Sequence, residues 1–259
     1  MITVSLKKIS LKPGNRVLDI GCGTGRHVCA CSRNKAVQVW GVDQCYADLI
    51  KARDNLKFEK AYGVSQGSWQ LLSGNILDLP FPDNCFDLVI CSEVLEHIND
   101  DTTAMKEIIR VLKKGKNLVV SVPRSVPERI CWALSKAYQN SPGGHVRIYQ
   151  QNHLIQHLES QGVKKWDLHH AHALHSFYWW LKCLFGLDND QQVCVKSYHD
   201  FLVWDMVHKS PWVRCIENIL NPLAGKSLVI YLKNNEPPFI LFLPYIAFFM
   251  NTCYVISQF

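Results

Sequence analysis

Val17-Leu18-Asp19-Ile20-Gly21-Cys22-Gly23-Thr24-Gly25 is the stretch on which the fold turns. The aliphatic run Arg16–Ile20 reads as a buried strand that breaks into glycines at alternate positions, and a helical stretch from about Arg26 to Arg33 follows. Strand, glycine turn and helix open a βαβ unit, and small residues in the turn let a ligand approach the backbone closely. Several nucleotide-binding folds carry such a loop. The dinucleotide fingerprint, however, places its third glycine one position later, where this chain has Arg26. Asp43 follows the second predicted strand, at the distance where an acid meets a ribose diol, although a helix-capping role would also suit it. Asp19, just before the turn, is placed to meet a cationic group or to order the loop. An adenosine-containing ligand is favoured over a dinucleotide.

Outward from the loop the same alternation continues. Val37–Val42, Trp69–Ser73, Phe86–Cys91 and Asn117–Val122 read as further strands, with helices over about Tyr46–Leu56 and Thr102–Leu112. Val126–Tyr138 reads as a helix, Pro142-Gly143-Gly144 as a loop, and Gln151–Gln161 as a helix stopped by Gly162. Lys165–His172 is a predicted sixth strand. An aromatic-rich, helical insertion follows over about Phe177–Leu220, and Ser227–Leu232 closes as the last strand. The fold class is α/β, doubly wound, in one domain over residues 1–233: a cofactor half to about 123, then substrate-side insertions over about 124–226. An apolar tail occupies 234–259.

With 259 residues, 48% of them hydrophobic, the chain is long enough for one such domain with insertions. A net charge of +6, scattered without a basic run, makes nucleic acid an unfavoured partner. The 11 cysteines include no Cys-x-x-Cys pair, and Cys22, Cys85 and Cys91 fall in or beside core strands, as small hydrophobes of a reducing cytoplasm do. Met1–Lys8 has neither the apolar core nor the small-residue cleavage site of a secretory leader. From Pro237 to Phe259 no residue is charged, which suits either packing on the domain or a peripheral membrane contact.

Four segments, in order and correctly spaced, carry a resemblance to the class I S-adenosylmethionine-dependent methyltransferases. They are the Val17–Gly25 stretch; Gly74-Asn75-Ile76-Leu77-Asp78-Leu79-Pro80-Phe81-Pro82-Asp83-Asn84-Cys85-Phe86-Asp87; Ser92-Glu93-Val94-Leu95-Glu96-His97; and Val111-Leu112-Lys113-Lys114-Gly115-Lys116. Ser92–His97 is similar to the type 11 branch that contains quinone-biosynthesis methyltransferases. The resemblance spans about Arg16 to Pro123 and fades beyond. It implies a seven-stranded sheet with an antiparallel last strand and S-adenosyl-L-methionine as cofactor. Gly21, Cys22, Gly23 and Gly25 would line the methionine and ribose, and Asp43 would take the ribose hydroxyls with Gln44 beside the adenine. Asn75 and Ile76 would edge the ring, and Ser92 would lie near the methionine.

The methyl acceptor is harder to read. A hydroxyl nucleophile needs a general base, and three histidines are candidates: His97, His145 and His172. Glu93, Glu96 and His97 would share one face if the segment were a short helix, and the resemblance links a Glu-x-x-Glu-His pattern to a divalent ion, so they are weak candidates for a metal. His145 lies in a loop after the fifth strand, where parallel strands face their ligand. His169, His170, His172 and His175 crowd seven positions; His170 and His172 would share a strand face, and a zinc reading lacks a fourth ligand of clear spacing. The aromatics Phe177, Tyr178, Trp179, Trp180, Phe201, Trp204 and Trp212 either line an apolar pocket or fasten the insertion to the domain. The expected function is methyl transfer to a small acceptor of lipophilic or quinone-like kind. An RNA methyltransferase and a dinucleotide oxidoreductase are the alternatives.

Overall fold

The computed structural model describes residues 2–141, 143–208 and 210–235. Among them, seven strands form one sheet: β1 (Arg16–Ile20), β2 (Gln38–Asp43), β3 (Ser68–Ser73), β4 (Phe86–Ser92), β5 (Leu112–Pro123), β6 (Val163–Ala171) and β7 (Ser227–Asn234). Their order is β3-β2-β1-β4-β5-β7-β6. β7 runs antiparallel to both neighbours and the other pairs are parallel. The doubly wound sheet with a reversed last strand is therefore present. Its strand order reverses between β1 and β4, and a crevice opens beyond the strand ends at such a switch point.

The sheet is covered on both faces, so its central strands are apolar on both sides. The alternation along β4 sorts the core. Leu88 and Ile90 pack with Val17, Val39 and Val119 against α1 (Arg26–Ser32) and α2 (Tyr46–Ala61). Val89 and Cys91 pack with Leu18, Ile20, Leu118 and Val120 against α3 (Asp101–Val111) and, further on, α6 (Gln151–Ser160). α3 is built from clear local signals. Asp100 caps it, accepting from the Thr103 N–H at 3.0 Å, and Ala104, Met105, Ile108 and Ile109 form its buried stripe. Arg110, near its end, donates to the carbonyls of Leu79 and Phe81 and pairs with Glu107 and Asp83, which fastens the long β3–β4 connection to the sheet.

Four expectations change in detail. β5 starts at Leu112 rather than Asn117, because Lys113 and Lys116 are drawn onto Asp87 of β4, at 2.9 and 3.3 Å. The helix expected over 126–138 is broken into α4 (Ser125–Leu134) and α5 (Lys136–Gln139), where extended Ser135 caps the second piece. The single insertion after β6 is three helices: α7 (Ala173–Phe185), α8 (Val193–His208) and α9 (Pro211–Ala224). Finally, β6 stops at Ala171. His172 takes a left-handed conformation (φ 68°) and caps α7, so it does not share a strand face with His170.

Asn234, assigned by sequence to the tail, belongs to the sheet: it is buried and donates to the Leu112 carbonyl. The apolar run from Pro237 lies outside the described residues. Among the described ones, no helix is long and apolar enough to cross a membrane.

Asp87 joins three parts of this frame. Burial pushes its carboxyl up, but the Arg16 N–H with Lys113 and Lys116 outweighs burial and holds it below the usual carboxylate range. A carboxyl depressed in the folded state stabilises above its unfolded pKa, about 4, and loses that contribution as pH falls through its folded value. Asp87→Asn should therefore cost about 1–3 kcal/mol at pH 7, and the gap to the wild type should close in acid below about pH 4. Urea unfolding at both pH values checks this; a gap that persists in acid would assign the loss to packing instead.

Candidate functional site

The glycine loop turns on steric demands that only glycine meets. Gly21, Gly23 and Gly25 all have positive φ, at 65°, 51° and 83°. A Cβ on Gly21 would stand 2.3 Å from Val94 Cγ2, and one on Gly25 would stand 2.9 Å from the Ala52 Cβ. At Gly23 a Cβ would enter open space. The Asp43 carboxylate stitches the loop to the next βα unit: Oδ2 accepts from the Gly23 N–H at 2.7 Å and Oδ1 from the Cys45 N–H at 2.8 Å. The Gly21 and Cys22 amides both donate to the Val42 carbonyl.

A cleft of about 220 Å³ opens beside this loop, lined by Ile20, Gly21, Val42, Asp43, Gln44 and Gly74 on one side. Ile76, Glu93, Val94, His97 and Ile98 line the other. Of the residues expected at a cofactor, Gly21, Asp43, Gln44 and Ile76 face the cleft. The rest lie around it. Cys22 is buried, and its thiol is pushed up by burial and by Asp19 and Asp43. Asn75 turns its carboxamide oxygen to the Leu77 N–H. Ser92 is buried, shares a hydrogen bond with Ser121 at 2.8 Å and accepts from Arg26 at 3.5 Å. Asp19 is buried, and neither carboxylate oxygen has a hydrogen-bond partner; the buried His27 ring is 3.7 Å away.

The Ser92–His97 segment is not the expected helix. Only Leu95–His97 forms a 3-10 turn, and Glu93 has φ 59° and turns back to accept from Ser121 at 3.0 Å. Glu93, Glu96 and His97 therefore do not share one helical face. Instead Glu96 and His97 meet His145, whose donor atom lies with theirs within 4.8 Å. The Val146 N–H donates to the Glu96 carbonyl and draws the His145 loop onto the turn. Glu96 is buried with both oxygens unpartnered, and burial and the Glu93 carboxylate push it well above the usual carboxylate range.

His145 has a partner that sequence reading missed. Glu128 of α4 is 2% exposed and accepts from His145 Nδ1 at 2.5 Å. Trp132 and Tyr138 hold the same carboxylate, at 3.2 and 3.3 Å. Because Nδ1 donates to a carboxylate, Nε2 is left as an acceptor. His97 is set in the same way, with Nδ1 against the Gly144 carbonyl at 3.2 Å. The only sequence signal for Glu128 was an acid in the first turn of a helix, which reads as ordinary complementarity to the helix dipole.

His145 also faces a second cleft, of about 450 Å³, with Tyr138, Trp179, Lys182 and Lys226. The rings of His97 and His145 are 5.0 Å apart, so the two histidines form the wall between the clefts. His172 is elsewhere. It lines a third cavity with the N-terminal segment and α9, whose lining includes no residue of the glycine loop. Of the insertion aromatics, Trp179 faces the second cleft. Tyr178, Tyr198 and Phe201 instead pack around Leu174, Leu202 and Val213 and fasten the insertion helices together.

Comparison with known proteins agrees with this geometry. The chain carries the class I methyltransferase fold, a sheet wound on both sides of a glycine loop with its last strand reversed. Residues 18–120 match the family described as methyltransferase domain. The chain is 32% identical to an O-methyltransferase of Aspergillus sclerotiorum over 114 residues, 44% of this chain and 42% of that protein. It is 30% identical to a demethylmenaquinone methyltransferase of Geobacillus over 117 residues, 44% and 48% of the two chains. The chain thus spans about half the length of the curated relatives it matches. A SAM-dependent methyltransferase from Aquifex aeolicus shares the fold, with a TM-score of 0.54 at 14% identity over 88% of this chain and 87% of that one.

The loop geometry gives a direct test. Gly21→Ala meets both a backbone penalty and the Val94 side chain, so it should cost about 2–4 kcal/mol. Gly23→Ala should cost only the left-handed penalty, about 1–2 kcal/mol. Urea unfolding without ligand should rank them in that order, and equal losses would remove the Val94 contact as the reason for Gly21.

Proposed function

We propose that the chain is an S-adenosylmethionine-dependent methyltransferase that methylates a hydroxyl on a small aromatic or quinol-like acceptor. The observation that carries this is the pair of clefts divided by His97 and His145, one beside the glycine loop and one beside a histidine oriented by a buried carboxylate.

The residues of the first cleft suit the cofactor. Asp43 retains lone pairs beyond its two backbone contacts and would accept from the ribose diol. Gln44 and Ile76 would flank the adenine. The unpartnered Asp19 would receive the ammonium of the methionine end. Arg26, in the first turn of α1, would take its carboxylate, helped by the helix N-terminus. When bound, S-adenosylmethionine supplies a methyl group already activated on a sulfonium sulfur.

The protein's remaining tasks are to position an acceptor, exclude water and remove a proton. The second cleft is large enough for a small ligand, and Tyr138 and Trp179 offer faces for a flat ring. Glu128 holds His145 with Nε2 free, which suits acceptance of a hydroxyl proton, and it stabilises the imidazolium that results. The relatives described as O-methyltransferase and demethylmenaquinone methyltransferase support an acceptor of this size and kind. Arg26, in the place of the dinucleotide glycine, disfavours the dinucleotide alternative, and the Tyr138 and Trp179 rings of the second cleft favour a small flat acceptor over RNA.

Calorimetry should show binding of S-adenosylmethionine and S-adenosylhomocysteine but not NAD, with Asp43→Ala losing about 1–3 kcal/mol. NAD binding without affinity for either sulfur ligand would overturn the reading. With catechols and hydroquinones as acceptors and a labelled methyl donor, His145→Ala should lower kcat by about 10²–10⁴-fold while leaving S-adenosylhomocysteine affinity unchanged. Glu128→Gln should fall between it and the wild type. Undiminished transfer by His145→Ala would remove it as the base.

A further inference from the structure

The histidine run beyond the methyltransferase segment has no part in the reading above. The fold divides its four members. His169 stacks on Tyr231 with ring centres 5.6 Å apart, and His170 faces Gln151 at 3.4 Å. His172 and His175 turn together into the space between the end of β6, the first turn of α7 and α9. There they meet Glu217, which lies more than forty positions away in the sequence.

We infer that His172, His175 and Glu217 bind a zinc ion. The donor atoms of the three side chains lie within 4.8 Å of one another. Tetrahedral zinc with bonds of 2.0–2.1 Å needs donors about 3.3 Å apart, so modest side-chain rotations close the set. The ring nitrogens are otherwise unexplained. His172 Nε2 and His175 Nδ1 are buried and have no hydrogen-bond partner, and His172 is 8% exposed. A buried polar atom without a partner costs free energy, and a ligand would remove that cost.

A second buried carboxylate adjoins Glu217: Asp205 and Glu217 both pair with Arg214. One Asp205 oxygen has no hydrogen-bond partner. A cavity lined by His172 and Glu217 with Thr3, Ser5 and Asn218 gives a path for entry and a place for a water as fourth ligand. Two imidazoles and one carboxylate are a donor set that zinc accepts.

An ion here would tie α9 to the start of α7 and so hold the insertion over the sheet. The test uses the full chain, stripped with chelator and free of cofactor, so it is independent of the methyl-transfer reading. Calorimetric titration with zinc chloride should give one site per chain, and cobalt(II) should develop a visible ligand-field spectrum. At a hundredfold excess over Kd, zinc should raise Tm by about 5–10 °C. His175→Ala should abolish the site, and the isosteric Glu217→Gln should weaken it at least tenfold with the far-ultraviolet spectrum intact. His145→Ala, in the separate Glu96–His97–His145 group, should leave it unchanged. Failure of the wild type to bind zinc in the micromolar range, full retention by Glu217→Gln, or loss in His145→Ala instead would each overturn the assignment.

Discussion

The two hydrogen bonds that the Asp43 carboxylate accepts from Gly23 and Cys45 hold the site together. They join the turn after β1 to the turn after β2, the two backbone segments that frame the cofactor cleft. The cost is paid in the backbone: three glycines at positive φ, one pressed against Val94, so that the chain can reverse within five residues of a buried strand. From that reversal follow the direction of α1, the seat of Asp19 beneath the loop, and the position of Val94 and Glu93 across the cleft. The residue after β4 is constrained in the same manner, since Glu93 is itself left-handed and anchored to Ser121 of β5.

The wall between the clefts is built from groups that would be unstable elsewhere. Glu96 is buried without partners, and Glu128 is buried with three. The difference decides their chemistry. The hydrogen-bonded carboxylate orients an imidazole, whereas the unpartnered one is driven towards its neutral form by burial and by Glu93. Two acids of similar depth thus acquire different duties from their contacts alone. Most of the polar atoms left without partners gather at the glycine loop, at this wall and at the histidine–glutamate group of the insertion. These are the places where the fold forgoes stability that a fully satisfied interior would have kept.

The first half of the chain was legible because its signals are local. β1 is the strand read from the aliphatic run, and α3 follows from a capping aspartate and an apolar stripe at helical spacing. Gly21, Asp43, Gln44 and Ile76 reach the cleft because each sits at a strand end, and the parallel sheet brings strand ends together. Errors arose where a distant charge or a single backbone angle intervened. Asp87 extended β5 through the lysines, and the left-handed Glu93 and His172 took each out of the regular element its neighbours suggested.

By itself, the sequence determined the class of sheet, the glycine turn and the acid that braces it, because hydrophobic period and glycine spacing act over a few residues. Only the tertiary structure decided that Glu128 orients His145, that Glu96 and His97 meet that loop rather than Glu93, and that Glu217 joins two of the four histidines. These pairings cross 17 positions in the first case and more than 40 in the last, between elements whose packing depends on the whole core. A side chain's charge and type are written in the sequence. Its burial and its partner are properties of the folded chain, and those decide what it can do.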